Sequence, residues 1–312
     1  MLLMDNIWIQ ENIKKFYKRK VVFITGAGIS VSSGIPDFRS KNGIFEEIKS
    51  KYKVNGVDLF SYRFSIDPKT RSIYLEYISK LKKLVDSSKP SFSHFFFKYF
   101  STRSKKFRVY SQNIDSLEEK AGLFYSEDSE TKLVYLHGDL KYLRCINCGN
   151  KEDYIGSGGG STTNTEFKEI FCRSCSTPRK NIPLHTNIIH YYQDHPYSDL
   201  ISKCIQKDTG CNLLVVVGTR LDVFGVKNMV RYFRKTSRNL LAIFVNPEPP
   251  KKEIEYLFDF HYPGKSDDFF LVVLRNIEEY KMLRRIKRLS IFNEEDEKAK
   301  EEIEKQLVED KV

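Results

Sequence analysis

No apolar run in this chain approaches the roughly 18 residues that crossing a bilayer requires, so no membrane association is expected. Its first twenty residues, MLLMDNIWIQENIKKFYKRK, lack the basic start and apolar centre of a secretory leader and read as a short amphipathic helix. Cysteine is sparse, six in 312 residues, and four of the six form two C-x-x-C pairs. Without a leader the thiols are expected to stay reduced, which favours metal binding over disulfides. Cys204 and Cys211 stand apart from the pairs. The dinucleotide fingerprint is also incomplete, because Val31 occupies the place of the third glycine in GxGxxG. Acidic residues are outnumbered 41 to 52, for a net charge of +11. Two readings stand for that excess: acidic partners or DNA-rich surroundings, and a solvated lysine-rich surface.

What the chain does have is a set of short β-branched runs that end in small or polar residues. Val21 to Thr25 reads as a buried parallel strand running into Gly26-Ala27-Gly28, whose glycines let backbone N–H groups approach a phosphate. Ser30, Ser32 and Ser33 follow, then the break Gly34-Ile35-Pro36 and the triplet Asp37-Phe38-Arg39. Phe107 to Ser111 ends in Gln112-Asn113-Ile114-Asp115. Those polar groups either face a ligand at the strand tip or cap a following helix, Ser116 to Ala121. Leu133 to Leu136 ends in His137-Gly138-Asp139, Leu213 to Val217 in Gly218-Thr219-Arg220, and Leu241 to Val245 in Asn246-Pro247-Glu248. The recurring tips GAG, QNID, GTR and NPE argue for a doubly wound α/β sheet of Rossmann-like type, gripping one extended ligand along its C-terminal edge.

Cys145 and Cys148 form one knuckle and Cys172 and Cys175 the other. Two knuckles complete a tetrahedral zinc site with no position left for water, so the zinc is structural. The Gly/Ser/Thr-rich stretch 156–165 between them reads as a surface loop, and the module as an insert that builds little core of its own and depends on its metal. The expected layout is a helical lead-in at 1–20, a discontinuous nucleotide-binding domain at 21–140 and 181–280, the zinc module at 141–180, and a charged tail at 281–312. Ile73 to Leu84 has helical spacing, a second helix opens at Pro90-Ser91 with His94 as a packing histidine, and a last core helix spans Asp268 to Tyr280. The basic cluster at 284–288 reads as a solvated helix face, and the tail as a partner helix or a disordered segment.

The block GAGISVSSGIPDFRS, followed in order by SQNID, LHG and the paired cysteines, resembles the signatures of the sirtuins, the NAD-dependent protein lysine deacylases. NIIHYYQDHP and GTRLDVFGVK make the chain similar to the fungal branch that acts on histone H3. The resemblance implies that Gly26, Ala27, Gly28 and Ser30 hold the NAD diphosphate region, with Asp37, Phe38 and Arg39 in the cofactor loop and Phe38 shielding the reactive ribose carbon. It implies that Gln112, Asn113, Ile114 and Asp115 position the nicotinamide and its ribose, and that His137 is the general base, with a pKa near neutrality, assisted by Asn113. Gly218, Thr219 and Arg220 would bind phosphate or ribose, Asn246, Pro247 and Glu248 the adenine-side ribose, and Ser266 the adenine. Tyr191, Tyr192 and Gln193 on one loop and Val223, Phe224 and Gly225 on another would flank an acetylated peptide, with histone H3 the implied partner and the nucleus (otherwise the cytoplasm) the implied compartment. A basic surface would suit chromatin.

Two departures from the family pattern stand out. Tyr192-Gln193 replaces a Gly-Glu, and tyrosine does not easily adopt positive φ; Arg220 replaces a serine. They leave room for a second reading, a catalytically weak protein that binds NAD or acetyl-lysine as a chromatin adaptor. A zinc-ribbon nucleic-acid binder would need more aromatic and basic residues around the cysteines than Tyr142 and Arg144. A hydride-transferring dehydrogenase would need the third glycine.

Overall fold

The structure, a computed structural model, describes residues 1–5, 8–9, 19–154, 170–177 and 180–277. The lead-in helix (all but a few residues), the 156–165 loop, the end of the last helix and everything beyond 277 lie outside the described residues.

Ten strands follow in chain order: β1 (Leu2–Leu3), β2 (Val21–Thr25), β3 (Phe107–Ser111), β4 (Leu133–Tyr135), β5 (Gly138–Cys145), β6 (Lys151–Asp153), β7 (Leu184–Ile188), β8 (Leu213–Val217), β9 (Leu241–Val245) and β10 (Phe260–Tyr262). Seven of them form one parallel sheet in the order β1-β10-β9-β8-β2-β3-β4. β2 pairs with β3 on one side and β8 on the other, so the two strand tips GAG and QNID are neighbours and GTR sits beside GAG. The sheet expected from the sequence is therefore present, with two strands added at one edge, β1 and β10.

The central strands are buried on both faces, which is why they are continuous apolar runs. Successive side chains alternate. Val21 and Phe23 of β2 belong to one core with Phe96, Phe97, Phe100, Phe269 and Phe270. Val22 and Ile24 belong to the other, with Cys204, Val230 and Phe233. The helices Phe92–Arg103 and Ser266–Ile277 thus cover one face, and Ser198–Asp208 and Phe224–Thr236 the other. His94 is the packing histidine expected. Its Nδ1 accepts from the Ser91 N–H at 3.0 Å and closes a capping box on its helix.

The zinc segment packs its apolar residues against elements outside it. β5, β6 and β7 form an antiparallel sheet, and its Leu143, Cys145 and Leu184, with Cys172 from the connection between β6 and β7, share one apolar cluster with Tyr74, Ile78 and Leu81 of the Arg71–Ser87 helix. The cysteines are anchored in a second lobe made jointly with the helices between 44 and 87.

Candidate active site

The C-terminal ends of the central strands open into one cleft of about 1040 Å³. That exceeds the usual ligand pocket and leaves room for an extended nucleotide together with a second reactant. Gly26, Ala27 and Gly28 line it, with Asp37, Phe38, Arg39, Gln112, Asn113, Ile114, His137, Gly218, Thr219, Arg220, Asn246, Pro247, Glu248 and Ser266. Tyr191, Tyr192, Val223 and Gly225 line the same space. Four expected residues stand behind or beside the wall: Ser30, Asp115, Gln193 and Phe224.

Ser30 and Asp115 act from behind. Ser30 is fully buried, and its Oγ donates to Asp115 Oδ2 at 2.7 Å while accepting from Asn113 Nδ2 at 3.2 Å. Asp115 Oδ1 also accepts from the Leu117 N–H at 3.0 Å, so this residue satisfies an N–H of the following helix, as the capping reading expects. Asn113 is thereby fixed at the cleft wall. Behind this chain lie His94 and Glu118, whose ligating atoms sit within 4.8 Å of one another and of Asp115. Burial and the Asp115 charge push Glu118 up to about 8, and burial pulls His94 down to about 3.

The glycine turn works differently from the expectation. The N–H groups of Gly26 and Gly28 donate to the carbonyls of Val217 and Gly218, at 3.1 and 2.8 Å, and so are not available to a phosphate. A Cβ on Gly28 would lie 2.6 Å from Gly218 Cα. Glycine is needed because the tips of β2 and β8 touch backbone to backbone. Of the three turn residues, Ala27 is the one whose N–H is not drawn into a bond of this kind.

His137 is held on both sides. Its carbonyl accepts from the Ile189 N–H at 2.9 Å, and its Nδ1 lies 2.9 Å from the Gln112 carbonyl. A carbonyl only accepts, so Nδ1 carries the proton and Nε2 keeps the lone pair. Burial pulls His137 down to about 4, below the near-neutral value expected, against a smaller upward effect of the Gln112 bond. It is a neutral imidazole at physiological pH. Gly138 follows at φ 71°, and a Cβ there would strike the Asn187 carbonyl at 1.8 Å, so β7 approaches the chain here as only glycine permits.

Phe38 packs edge-on against Phe45 and Phe60, with ring centroids 5.7 and 5.6 Å away. Asp37 accepts from the N–H groups of Arg39 and Ser40 at 2.8 and 2.7 Å. Burial opposes its ionisation, but the Ser40 and Arg39 bonds and the Arg220 charge prevail and hold its carboxyl below the usual range. Arg220 pairs with Glu248 at 3.2 Å, joining the tips of the neighbouring strands β8 and β9. Asn246 Oδ1 accepts from the Glu248 N–H at 3.1 Å.

Tyr192 does adopt positive φ, at 64°, and its side chain is 88% exposed. Gln193 turns inward, its Oε1 accepting from the His190 N–H at 3.0 Å. Phe224 opens the Phe224–Thr236 helix and is 73% exposed. His190, His195 and Lys265 also line the cleft and were not singled out in the sequence. The two histidines lie within the NIIHYYQDHP stretch, where the tyrosines and Gln193 drew the reading, and Lys265 lies beside Ser266.

The four cysteine sulfurs lie within 4.8 Å of one another, with Cys145 to Cys175 at 3.4 Å and Cys148 to Cys172 at 3.6 Å. None is in a disulfide. A tetrahedral zinc with bonds of about 2.3 Å separates its sulfurs by about 3.8 Å, so the set fits one structural zinc.

Comparison with known proteins agrees with this geometry. The Sir2 family model matches residues 26–225. The NAD-dependent histone deacetylase HST3 of Saccharomyces cerevisiae is 30% identical over 312 aligned residues, covering 86% of this chain and 69% of its own length. HST3 of Candida albicans is 29% identical, covering 77% of this chain and 56% of its own length. The NAD-dependent deacetylase sir2D of Dictyostelium discoideum is 33% identical, covering 83% of this chain and 44% of its own length. The chain thus spans from under half to about two thirds of these relatives. A crystal structure of a Sir2 homologue in complex with NAD superposes with a TM-score of 0.67 at 21% identity, covering 88% of this chain and 94% of that one.

Proposed function

The chain belongs to the Sir2 family of NAD-dependent deacetylases, and from that premise we propose that it removes acetyl groups from histone lysines. With one water consumed after nicotinamide has left, the products would be free lysine, nicotinamide and O-acetyl-ADP-ribose. The observation that carries the reading is the His137 lone pair, which shares one cleft with the glycine turn, Asn113 and the Asp37-Phe38-Arg39 loop.

Bound NAD supplies the ADP-ribosyl group that receives the acetyl oxygen as nicotinamide departs. His137 Nε2 accepts the proton of a ribose hydroxyl, with Nδ1 already committed to the Gln112 carbonyl. Asn113, pinned through Ser30, orients the nicotinamide end. Phe38, backed by Phe45 and Phe60, keeps water from the reacting carbon. Gly218, Thr219 and Asn246 hold the adenine half, with Ser266 beside it and Arg220 supplying charge near the phosphates. Tyr191, Tyr192, Val223 and Gly225, which line the cleft, flank the acetylated peptide, with Gln193 bracing that loop from behind through His190. The names of the fungal relatives support histones as substrate and with them a nuclear, chromatin-bound protein, while histone H3 in particular rests on the likeness of the NIIHYYQDHP and GTRLDVFGVK stretches; no helix among the described residues is long and apolar enough to cross a membrane.

A second reading, an adaptor that binds without turnover, rests on Tyr192 and Arg220. Incubation with acetylated histone H3 peptide and NAD separates the two. Stoichiometric release of nicotinamide and deacetylated peptide supports the enzyme; binding of either ligand without release supports the adaptor.

A further inference from the structure

A chain of four hydrogen-bonded side chains runs behind the loop 190–193. Tyr74, on the Arg71–Ser87 helix, is buried. Its hydroxyl lies 2.5 Å from Thr186 Oγ1 on β7 and 2.8 Å from His190 Nε2. At the other edge of that ring, His190 Nδ1 lies 3.2 Å from Gln193 Oε1. The direction of every bond is fixed. The His190 main-chain N–H donates to Gln193 Oε1 at 3.0 Å, so the oxygen of that amide, not its nitrogen, stands here. An amide oxygen only accepts, so Nδ1 carries the ring proton and the Nε2 lone pair takes the Tyr74 proton. The Tyr74 oxygen is then left to accept from the Thr186 hydroxyl. Burial pulls His190 down to about 4, so the ring stays neutral and the arrangement holds at physiological pH.

What the chain supports is a wall of the cleft. His190 and Gln193 bracket Tyr191 and Tyr192, and His190, Tyr191 and Tyr192 all line it. Main-chain bonds hold Tyr191: its N–H donates to the Phe60 carbonyl at 3.0 Å, and its carbonyl accepts from the Tyr62 N–H at 3.0 Å. With Tyr191 tied to Phe60 and Tyr62, and Gln193 tied through His190 to Tyr74, Tyr192 between them is carried through φ 64°. These supports come from the lobe that also anchors the cysteines. In a buried chain of this kind each bond depends on the next, and deleting one hydroxyl leaves its neighbours unpaired.

We propose that Tyr74 is a positioning residue for the acetylated substrate: its hydroxyl, acting through His190 and Gln193, holds the 190–193 loop in the shape that receives the peptide. Tyr74 touches no reactant. The inference rests on reading that loop as the peptide wall, so the test follows the loop and the peptide separately, and neither readout needs turnover.

Tyr74→Phe keeps the ring and removes the hydroxyl. Tyr77→Phe, three residues on in the same helix and also buried, removes a hydroxyl that is not part of the chain and serves as the control. Amide hydrogen exchange, binding of a fluorescent acetylated histone H3 peptide and binding of ADP-ribose are measured far below the melting transitions. Tyr74→Phe is expected to speed exchange across residues 189–193 and to weaken the peptide about fivefold, because the loop is no longer preorganised, with ADP-ribose affinity unchanged. In turnover the same loss is expected in the peptide KM and not in kcat. Tyr77→Phe is expected to match wild type in all of these. Peptide affinity equal in wild type and Tyr74→Phe, an equal loss in the two variants, or a parallel loss of ADP-ribose affinity overturns this proposal alone. A wild type that binds no acetylated peptide refutes the peptide reading of the loop and overturns this proposal with it.

Discussion

Gly138→Ala is the sharpest perturbation of the site, because its effect follows from a single contact. At φ 71° an alanine bears the left-handed cost of about 1–2 kcal/mol. Its Cβ would also lie 1.8 Å from the Asn187 carbonyl, where about 3.4 Å is comfortable, so β7 must retreat by roughly 1.5 Å. That movement breaks the Ile189 N–H bond to the His137 carbonyl (2.9 Å) and the Asn187 Nδ2 bond to Asp139 Oδ2 (2.6 Å). At about 1 kcal/mol each, the total is about 4 kcal/mol, or about 8 °C in melting temperature for a chain of this size. Gly210→Ala is the control, with φ 74° and nothing within 4 Å of the added Cβ; it should lose only the backbone term, about 3 °C. A misplacement of about 1 Å at His137 should also lower deacetylation about 100-fold, beyond the loss in folded protein. Thermal melts of the two variants, with activity measured well below both transitions, check this. Equal shifts for Gly138→Ala and Gly210→Ala would refute the reasoning.

Three further outcomes follow from the same structure. The protein should carry one zinc per chain, and Cys145→Ser/Cys172→Ser should lose both the metal and the folded far-UV signal; metal analysis finding none in wild type contradicts this. Ser30→Ala should cost about 1–3 kcal/mol in urea unfolding and raise the requirement for NAD, since Asn113 Nδ2 and Asp115 Oδ2 both lose their partner; an unchanged protein counts against the relay. Burial pulls His190 down to about 4, below its unfolded value near 6.5, so the unfolded chain takes up the proton first as pH falls. The contribution of a neutral His190 is therefore complete above about pH 6.5 and shrinks toward pH 4. The stability difference between wild type and His190→Gln should narrow by about 2 kcal/mol from pH 7 to pH 5, and a constant difference would contradict the assignment.

Much of the sheet was legible because parallel strands buried on both faces must be unbroken β-branched runs, as Val21–Thr25 and Leu213–Val217 are. β1 and β10 were not, since Leu2–Leu3 and Phe260–Tyr262 are too short to carry a period. The cysteine spacing showed the metal set, but not that Cys145 and Cys172 sit in a core shared with the Arg71–Ser87 helix. His137 was visible as a histidine at a strand tip. Its low pKa was not, because burial is a property of the assembled cleft. Tyr192 was visible as a departure from pattern; that the loop forces it through positive φ depends on Tyr74, more than a hundred residues away in sequence. The glycines of the first turn were legible as sites of close approach, but not that the tip of β8 is what approaches them, because Gly218 lies about 190 residues further along the chain.

The central claim is that His137 Nε2 is the base in a cleft shared by NAD and acetyl-lysine. Nicotinamide release from NAD should require an acetylated histone H3 peptide and should fall about 10²–10⁴-fold in His137→Ala, with the variant's melting temperature and zinc content near wild type. A His137→Ala protein that is folded and deacetylates at a rate within a few-fold of wild type would contradict the account.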